Sequence, residues 1–338
     1  MSLPEEHDPA PNPDFEPDET QDAAEDVDSA LGDDDDLLST SSLTSSVFDY
    51  IQEHGRTYNA YGERTYVLPN DEMELDRLDL QHHLLKMTFN DRLSTCGVEK
   101  RRELHHVLDI GTGTGIWSVE FGDLHPEAIV LGVDVSPVQP IYVPPNVRFE
   151  VMDVGQQWVF SYQFDFIFSR FMTGAIADWR QFIQQSYENL APGAMLEVQD
   201  ISFHLGCDDG TLPPDSALAK WAAYMLEASR QLGCPLDSVE SVREIMIETG
   251  FVDVVETPYM WPMSPWKKKD PTLKTIGVWT YHNFTASLSG ISLALFTRGL
   301  GWTTEELEAF LIDVRKDMRN TRYHAFWPIY TISGTKPG

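Results

Sequence analysis

The residues best suited to chemistry lie between positions 109 and 154. Asp109-Ile110-Gly111-Thr112-Gly113-Thr114-Gly115 separates the apolar run HHVLDI from the helix-like stretch IWSVEFGDLHP. Glycine suits such a turn because a side chain would block close backbone approach to a ligand, and because positive φ costs glycine little. The dinucleotide fingerprint G-x-G-x-x-G would need glycine at position 116, where Ile116 stands, and the G-K-[S/T] of a phosphate loop is absent. Asp134, at the end of the next apolar run (GVDVS), is placed to accept hydrogen bonds from two ribose hydroxyls. Asp153 closes a third run, VMDV, where an adenine ring would lie. Each aspartate taken alone also suits the cap of a following helix. Together with the turn they predict a nucleoside-bearing ligand at the carboxyl ends of successive strands.

Such placement requires alternating strands and helices. HHVLDI, AIVLGVDV, VRFEVMDV and FDFIFSR read as four strands, followed by a helix from Trp179 to Leu190, the turn Ala191-Pro192-Gly193 and a fifth strand, AMLEVQDI. A helix capped by Asp215 carries Leu218, Trp221, Met225 and Leu232 on one face and stops at Gly233 and Pro235. A second, from about Ser238 to Thr249, leads through Gly250 into FVDVVETP, and WPIYTISGTKP closes the sheet. The order predicts an α/β fold built on a doubly wound, parallel, seven-stranded sheet. Residues 258–320, rich in Trp, read as a helical insertion before the last strand. Residues 47–103 form an N-terminal helical segment. Its helix opens at Asp71-Glu72 and runs to about Leu93, with Leu75, Leu78, Leu85 and Phe89 at helical spacing.

Composition narrows the function classes. The 338 residues are 42% hydrophobic and 11% aromatic, enough for a substantial core. The net charge of −30 is uneven: residues 1–36 hold 15 of the 54 Asp and Glu and no Lys or Arg. With five prolines and the run Asp33 to Asp36, residues 1–46 are expected to be a disordered acidic tail and linker, leaving 47–338 as the folded domain. The tail is either a docking arm for a basic partner or a solubilising leader. The body is acidic too, which argues against nucleic acid as a partner. No run approaches the roughly 18 apolar residues of a membrane helix, and the N-terminus has no signal-peptide pattern. Three scattered cysteines predict neither a disulfide framework nor a zinc site. A reducing compartment is expected, with the Asn283 sequon unmodified.

The turn, Asp134, Asp153, the FDFIFSR strand and the NLAPGAMLEVQD segment together resemble class I S-adenosylmethionine-dependent methyltransferases. GRTYNAYGERTYVLPNDEMELDRLDLQHHL, VLDIGTGTGIWSVEF, DDGTLPPDSAL and ISLALFTRGLGW are similar to the fungal LaeA-like branch, over about residues 50–337. The resemblance implies a Rossmann-like sheet with an N-terminal helical lid, and S-adenosyl-L-methionine as cofactor. Asp109, Gly111, Gly113 and Gly115 would then surround its methionine part. Asp134 would hold the ribose, Asp153 and Val154 would lie beside the adenine, and Arg170 would sit near the sulfonium or the substrate. Tyr58, Tyr61 and Tyr66 are candidates to close over the cofactor, and Arg77 to reach its carboxylate.

Methyl transfer needs a base only where the acceptor must first lose a proton. His82 and His83 are the first candidates, with His204 and His282 behind them; each also reads as a surface or packed histidine. Trp261, Trp266, Trp279 and Trp302 either line an aromatic acceptor pocket or fill the core of the insertion. The D/N-P-P-Y/F signature of nucleic-acid amino-methylating enzymes is absent, since the fourth strand ends Ser169-Arg170-Phe171. Two functions follow: transfer of methyl to a small molecule in fungal secondary metabolism, or regulation through protein partners in the cytoplasm or nucleus. A dehydrogenase is disfavoured by the loop spacing. Deleting residues 1–38 should leave the melting temperature and cofactor affinity nearly unchanged. Scanning calorimetry checks this, and a drop of several degrees would show that the tail packs on the domain.

Overall fold

Residues 50–59 turn the chain back on itself. The computed structural model describes residues 50–59, 66–100 and 103–338, and the expected acidic tail and Tyr61 lie outside them. Strands β1 (Tyr50–Glu53) and β2 (Arg56–Asn59) form a hairpin through His54 and Gly55, both at positive φ, as a tight hairpin turn requires. The N-terminal segment is therefore not wholly helical. Helix α1 (Glu72–Thr88) follows, capped by the Asp71 carboxylate, which also pairs with Arg56 of the hairpin. It ends earlier than Leu93 because Phe89 takes a non-helical cap and Asn90 and Asp91 both adopt positive φ.

The sheet begins with β3 (His106–Ile110), followed by α2 (Ile116–Leu124), β4 (Ile129–Asp134), β5 (Val147–Val151) and β6 (Phe164–Arg170). Helix α3 (Trp179–Asn189) returns the chain to β7 (Leu190–Ile201), which absorbs the expected Ala191–Gly193 turn into its first residues. Helices α4 (Ala217–Gln231) and α5 (Val239–Thr249) lead to β8 (Val252–Pro262). The cap of α4 is Ser216 rather than Asp215, its hydroxyl accepting from the Ala219 N–H. The insertion comprises α6 (Pro271–Ala286), α7 (Leu288–Ala294), a π turn at Leu295–Gly299 and α8 (Thr304–Arg319); residues 258–262 belong to β8. Strand β9 (Phe326–Thr335) ends the fold.

Sheet order is β5-β4-β3-β6-β7-β9-β8. The first five strands are parallel, but β9 enters between β7 and β8, antiparallel to both. The sheet is thus mixed where the sequence order suggested a parallel one. The reason is connectivity: α4 and α5 carry β8 one position out, and the chain returning from the insertion fills the gap. Helices α3 and α5 pack on one face through Phe182, Ile183, Val242 and Met246. Helix α2 covers the other, with Trp117 stacked on Phe168 at a centroid distance of 4.0 Å. A further core, around Trp221, Phe284 and Trp327, joins α4 and α6 to the sheet and is shared with Leu84 and Leu85 of α1.

One buried carboxylate fastens α1's exit to the sheet. Glu197, in the middle of β7, accepts from the Ser94 and Thr95 hydroxyls and from the Thr95 and Cys96 N–H groups, at 2.8–3.1 Å. Removing an acceptor strands each of these donors at about 1–3 kcal/mol apiece where they are buried. Glu197→Ala should therefore lower stability by roughly 3 kcal/mol, about 5 °C in Tm for a domain of this size, and Glu197→Gln by clearly less. Thermal unfolding followed by circular dichroism checks the pair.

Candidate functional site

The sheet order reverses between β3 and β6, the point at which doubly wound sheets open a crevice for ligands. A cleft of about 470 Å³ lies there, walled by the glycine turn and by residues following β4, β5 and β6. Asp109 itself does not line it. Its carboxylate is buried beneath the turn and accepts from the Thr112 hydroxyl at 2.6 Å and the Ser118 hydroxyl at 2.7 Å. The sequence reading placed Asp109 around the ligand; the structure makes it the brace of the turn instead. Burial pushes its pKa up, against the pull of the two hydroxyls.

Gly111 and Gly113 line the cleft, both with positive φ. A Cβ on Gly111 would meet the Met172 sulfur at 2.1 Å. Gly115 is not a lining residue: it caps α2, and its Cβ would run into the Phe149 ring at 2.5 Å. Its glycine serves packing. Asp134 lies in the wall, Oδ2 accepting from the Gly113 N–H and Oδ1 from the Ser136 N–H, each at 2.9 Å. Each oxygen keeps a lone pair for a ligand hydroxyl. Burial raises the Asp134 pKa, opposed by those N–H groups. Asp153 and Val154 lie in the same wall, two and three residues past β5.

The N-terminal segment closes the cleft. Tyr66, Leu75, Leu78 and Gln81 line it, and the Asp79 carboxylate accepts from the Thr114 hydroxyl at 2.7 Å, tying α1 to the glycine turn. Burial raises the Tyr66 phenol, so it stays protonated. Tyr58 is buried in the core under Arg298, away from the cleft. Asn59, at the end of the hairpin, donates to the Val135 carbonyl on the rim.

Arg77 does not reach the ligand space. It is buried in a bidentate pair with Glu74, at 2.6 and 2.9 Å, with the Asn283 side-chain oxygen 3.5 Å away. A buried glutamate on its own helix outcompetes a ligand for it. Arg170 does line the cleft, and its Nη2 donates to His82 Nδ1 at 3.1 Å. Burial lowers the Arg170 pKa to about 10, which leaves it fully charged near neutrality. His82 has no exposed surface and sits behind Arg170; burial and that neighbouring cation push its pKa down to about 3. It is a neutral acceptor and not a base facing a substrate. His83 is exposed on the outer face of α1.

His204 pairs with Glu240 at 2.8 Å and His282 is exposed; neither lines the cleft. The four tryptophans stand elsewhere too. Trp261 is buried with its N–H on Thr88, Trp266 stacks on His324, Trp279 is exposed, and Trp302 packs with Phe296 and Phe310. Trp261 belongs to β8, and the other three build and coat the insertion. Two acids escaped the sequence reading. Asp178 lines the cleft while capping α3, and its signal was the Asp directly before the helix. Asp200, at the end of β7, accepts from the Met172 and Thr173 N–H groups and so shapes the wall after β6; burial pushes it up to about 7. Among the described residues no cluster of His, Cys, Asp and Glu could hold a metal, and no helix is long and apolar enough to cross a membrane.

The family model for a methyltransferase domain matches residues 80–256. The chain is 40% identical over 300 residues to methyltransferase pytC of Aspergillus terreus, covering 88% of this chain and 92% of that one. It is 32% identical over 295 residues to the probable methyltransferase tdiE of Emericella nidulans, covering 87% and 92%. It is also 32% identical over 290 residues to the secondary metabolism regulator LAE1 of Cochliobolus heterostrophus, covering 84% and 94%.

The Glu74–Arg77 pair gives a test of the assignment that the structure makes for Arg77. Breaking a buried pair leaves an uncompensated charge and costs about 3–5 kcal/mol, whereas replacing both partners costs far less. Glu74→Gln and Arg77→Met should each destabilise strongly, and the double variant should recover much of the loss. A double-mutant cycle in urea measures this coupling.

Proposed function

The chain belongs to the methyltransferase-domain family, and we propose that it is an S-adenosyl-L-methionine-dependent methyltransferase of fungal secondary metabolism acting on a small molecule. The observation that carries the reading is Asp134. Its carboxylate is fixed at the crevice by two backbone N–H groups, and one of these comes from the glycine turn. A ribose diol bound there is read by the same group that shapes the turn. The fit is chemical as well as spatial: positive-φ glycines on one side, carboxylates at the ends of successive strands on the other, and room for a nucleoside with a side arm.

When bound, the cofactor supplies a methyl group already activated by its sulfonium. The chain's own part is placement. Asp134 orients the ribose, Asp153 and Val154 flank the adenine, and Gly111 and Gly113 let the backbone approach the amino-acid arm. Leu75, Leu78 and Tyr66 exclude water from the reacting end. Among the described residues no histidine lines the cleft, so acceleration comes from proximity and orientation rather than from an imidazole base.

A second reading has one specific support, the likeness to the regulator LAE1. In it the same cofactor site serves a protein acting through partners in the cytoplasm or nucleus. Incubation with methyl-labelled cofactor and a fungal extract separates the two: label in small molecules supports the first, label in protein the second. S-Adenosylhomocysteine should bind one-to-one in calorimetry, and NAD should not bind. Asp134→Ala should weaken that binding about 10- to 150-fold, the equivalent of losing hydrogen bonds to a charged acceptor, with the fold intact. An unchanged dissociation constant would remove Asp134 from the site.

A further inference from the structure

Arg170 is a half-buried cation that lines the cleft with an unfinished coordination. A guanidinium carries five N–H donors and no acceptor. Among the described residues only one of Arg170's donors has a partner, the bond from Nη2 to His82 Nδ1 at 3.1 Å, and no carboxylate comes within ion-pair reach of it. The neighbouring acids are engaged elsewhere. Asp109 takes the Thr112 and Ser118 hydroxyls, Asp79 takes the Thr114 hydroxyl, and Glu120 takes Lys86 at 2.8 Å. A half-buried charge on a cleft wall that lacks a counter-charge gains from an anion that enters beside it.

His82 fixes where that cation points. Because a guanidinium cannot accept, Nδ1 of His82 must be the bare nitrogen and its proton must lie on Nε2. Nε2 lies 3.3 Å from the Glu120 carboxylate, which Lys86 holds from the other side. Lys86, Glu120, His82 and Arg170 thus form a file from the surface of α1 and α2 to the cleft; the Glu120–His82 step is a close approach without a hydrogen bond, and the bond that orients Arg170 is the one to His82 Nδ1. A histidine with no exposed surface in this file serves as a strut.

We propose that Arg170, positioned by His82, is the cleft's receptor for a carboxylate or equally acidic oxyanion, carried by the amino-acid arm of the cofactor or by the acceptor. The assignment rests on the cofactor reading given above. It moves the anion-binding role from Arg77, which Glu74 occupies, to a cation that has donors free.

The test uses the full chain and three probes in calorimetry. S-Adenosylhomocysteine carries the carboxylate; 5′-methylthioadenosine keeps the nucleoside and sulfur without it; benzoate stands in for an acidic acceptor. The variants are Arg170→Gln, His82→Phe and His82→Asn, the last keeping an acceptor where Nδ1 stood. If the anion is the cofactor's, Arg170→Gln and His82→Phe weaken S-adenosylhomocysteine about ten-fold or more while 5′-methylthioadenosine is unaffected and His82→Asn stays close to wild type. If it is the acceptor's, both nucleosides bind the variants as before. Benzoate then binds the S-adenosylhomocysteine complex of the wild type and not that of Arg170→Gln. Indifference of all three probes to Arg170→Gln overturns the proposal. A normal response in folded His82→Phe beside a lost one in Arg170→Gln overturns the role of His82. Should His82→Phe not fold, His82→Leu, which likewise removes the acceptor, takes its place, and Arg170→Gln decides the anion site. Failure of the wild type to bind either nucleoside is a different result: it refutes the cofactor reading, and this assignment falls with it.

Discussion

A carboxylate with almost no exposed surface must find donors close by, and Asp109 finds them in Thr112 of the turn and Ser118 of the first turn of α2. Those two bonds tie the last residues of β3, the glycine turn and the start of α2 into one rigid piece. The rest of the cleft takes its shape from it. With the turn fixed, the Gly113 N–H points at Asp134, so β4 is registered to β3 at its carboxyl end as well as along the ladder. The bulk of Thr112 is felt one strand away: a Cβ at Gly132 would stand 2.9 Å from its hydroxyl. The turn therefore needs glycines at 111 and 113 for backbone conformation, and β4 needs one at 132 for room.

Helix α1 shows how a polar face can be the buried one. Glu74, Arg77, Gln81 and His82 are buried, while Leu75 and Leu78 face the cleft. Burial of polar groups is tolerable where they are matched: Glu74 pairs with Arg77 and His82 Nδ1 with Arg170, while His82 Nε2 makes no hydrogen bond. The apolar residues at helical spacing are thus divided between two duties. Leu84, Leu85 and Phe89 join the core shared with the insertion, and Leu75 and Leu78 dress the ligand wall. A helix so anchored at Asp71, Asp79, Lys86 and the Glu197 staple behaves as a wall built into the domain.

What was legible in the sequence was local. The turn, Asp134 and Asp153 were readable because a strand, a tight turn and a helix follow one another within a few residues, and their geometry is set by neighbours in the chain. The first five sheet strands were readable for the same reason. Long-range choices were not. Nothing near Phe326–Thr335 announces that it will slip between β7 and β8, because that place is left by α4 and α5, about a hundred residues earlier. Nor does the sequence say which carboxylate an arginine will choose. Arg77 and Arg170 looked alike as candidate cations, and a glutamate three residues from one of them settled the matter. The same holds for His82, whose spacing on α1 gave no sign that it faces the half-buried guanidinium of Arg170.

Charges of both signs line the cleft. Asp134, Asp153 and Asp178 lie on the walls after β4, β5 and β6, and Arg170 ends β6 beside His82 of α1. In the proposed orientation the nucleoside lies along the acidic side and the sulfonium between the two. A sulfonium is itself cationic, so a bare guanidinium nearby would oppose its binding unless an anion lies between or beside them. An anionic nucleophile or the cofactor's own carboxylate satisfies that condition, and a neutral amine does not. Where the cofactor's own carboxylate takes that place, the electrostatics put no condition on the acceptor.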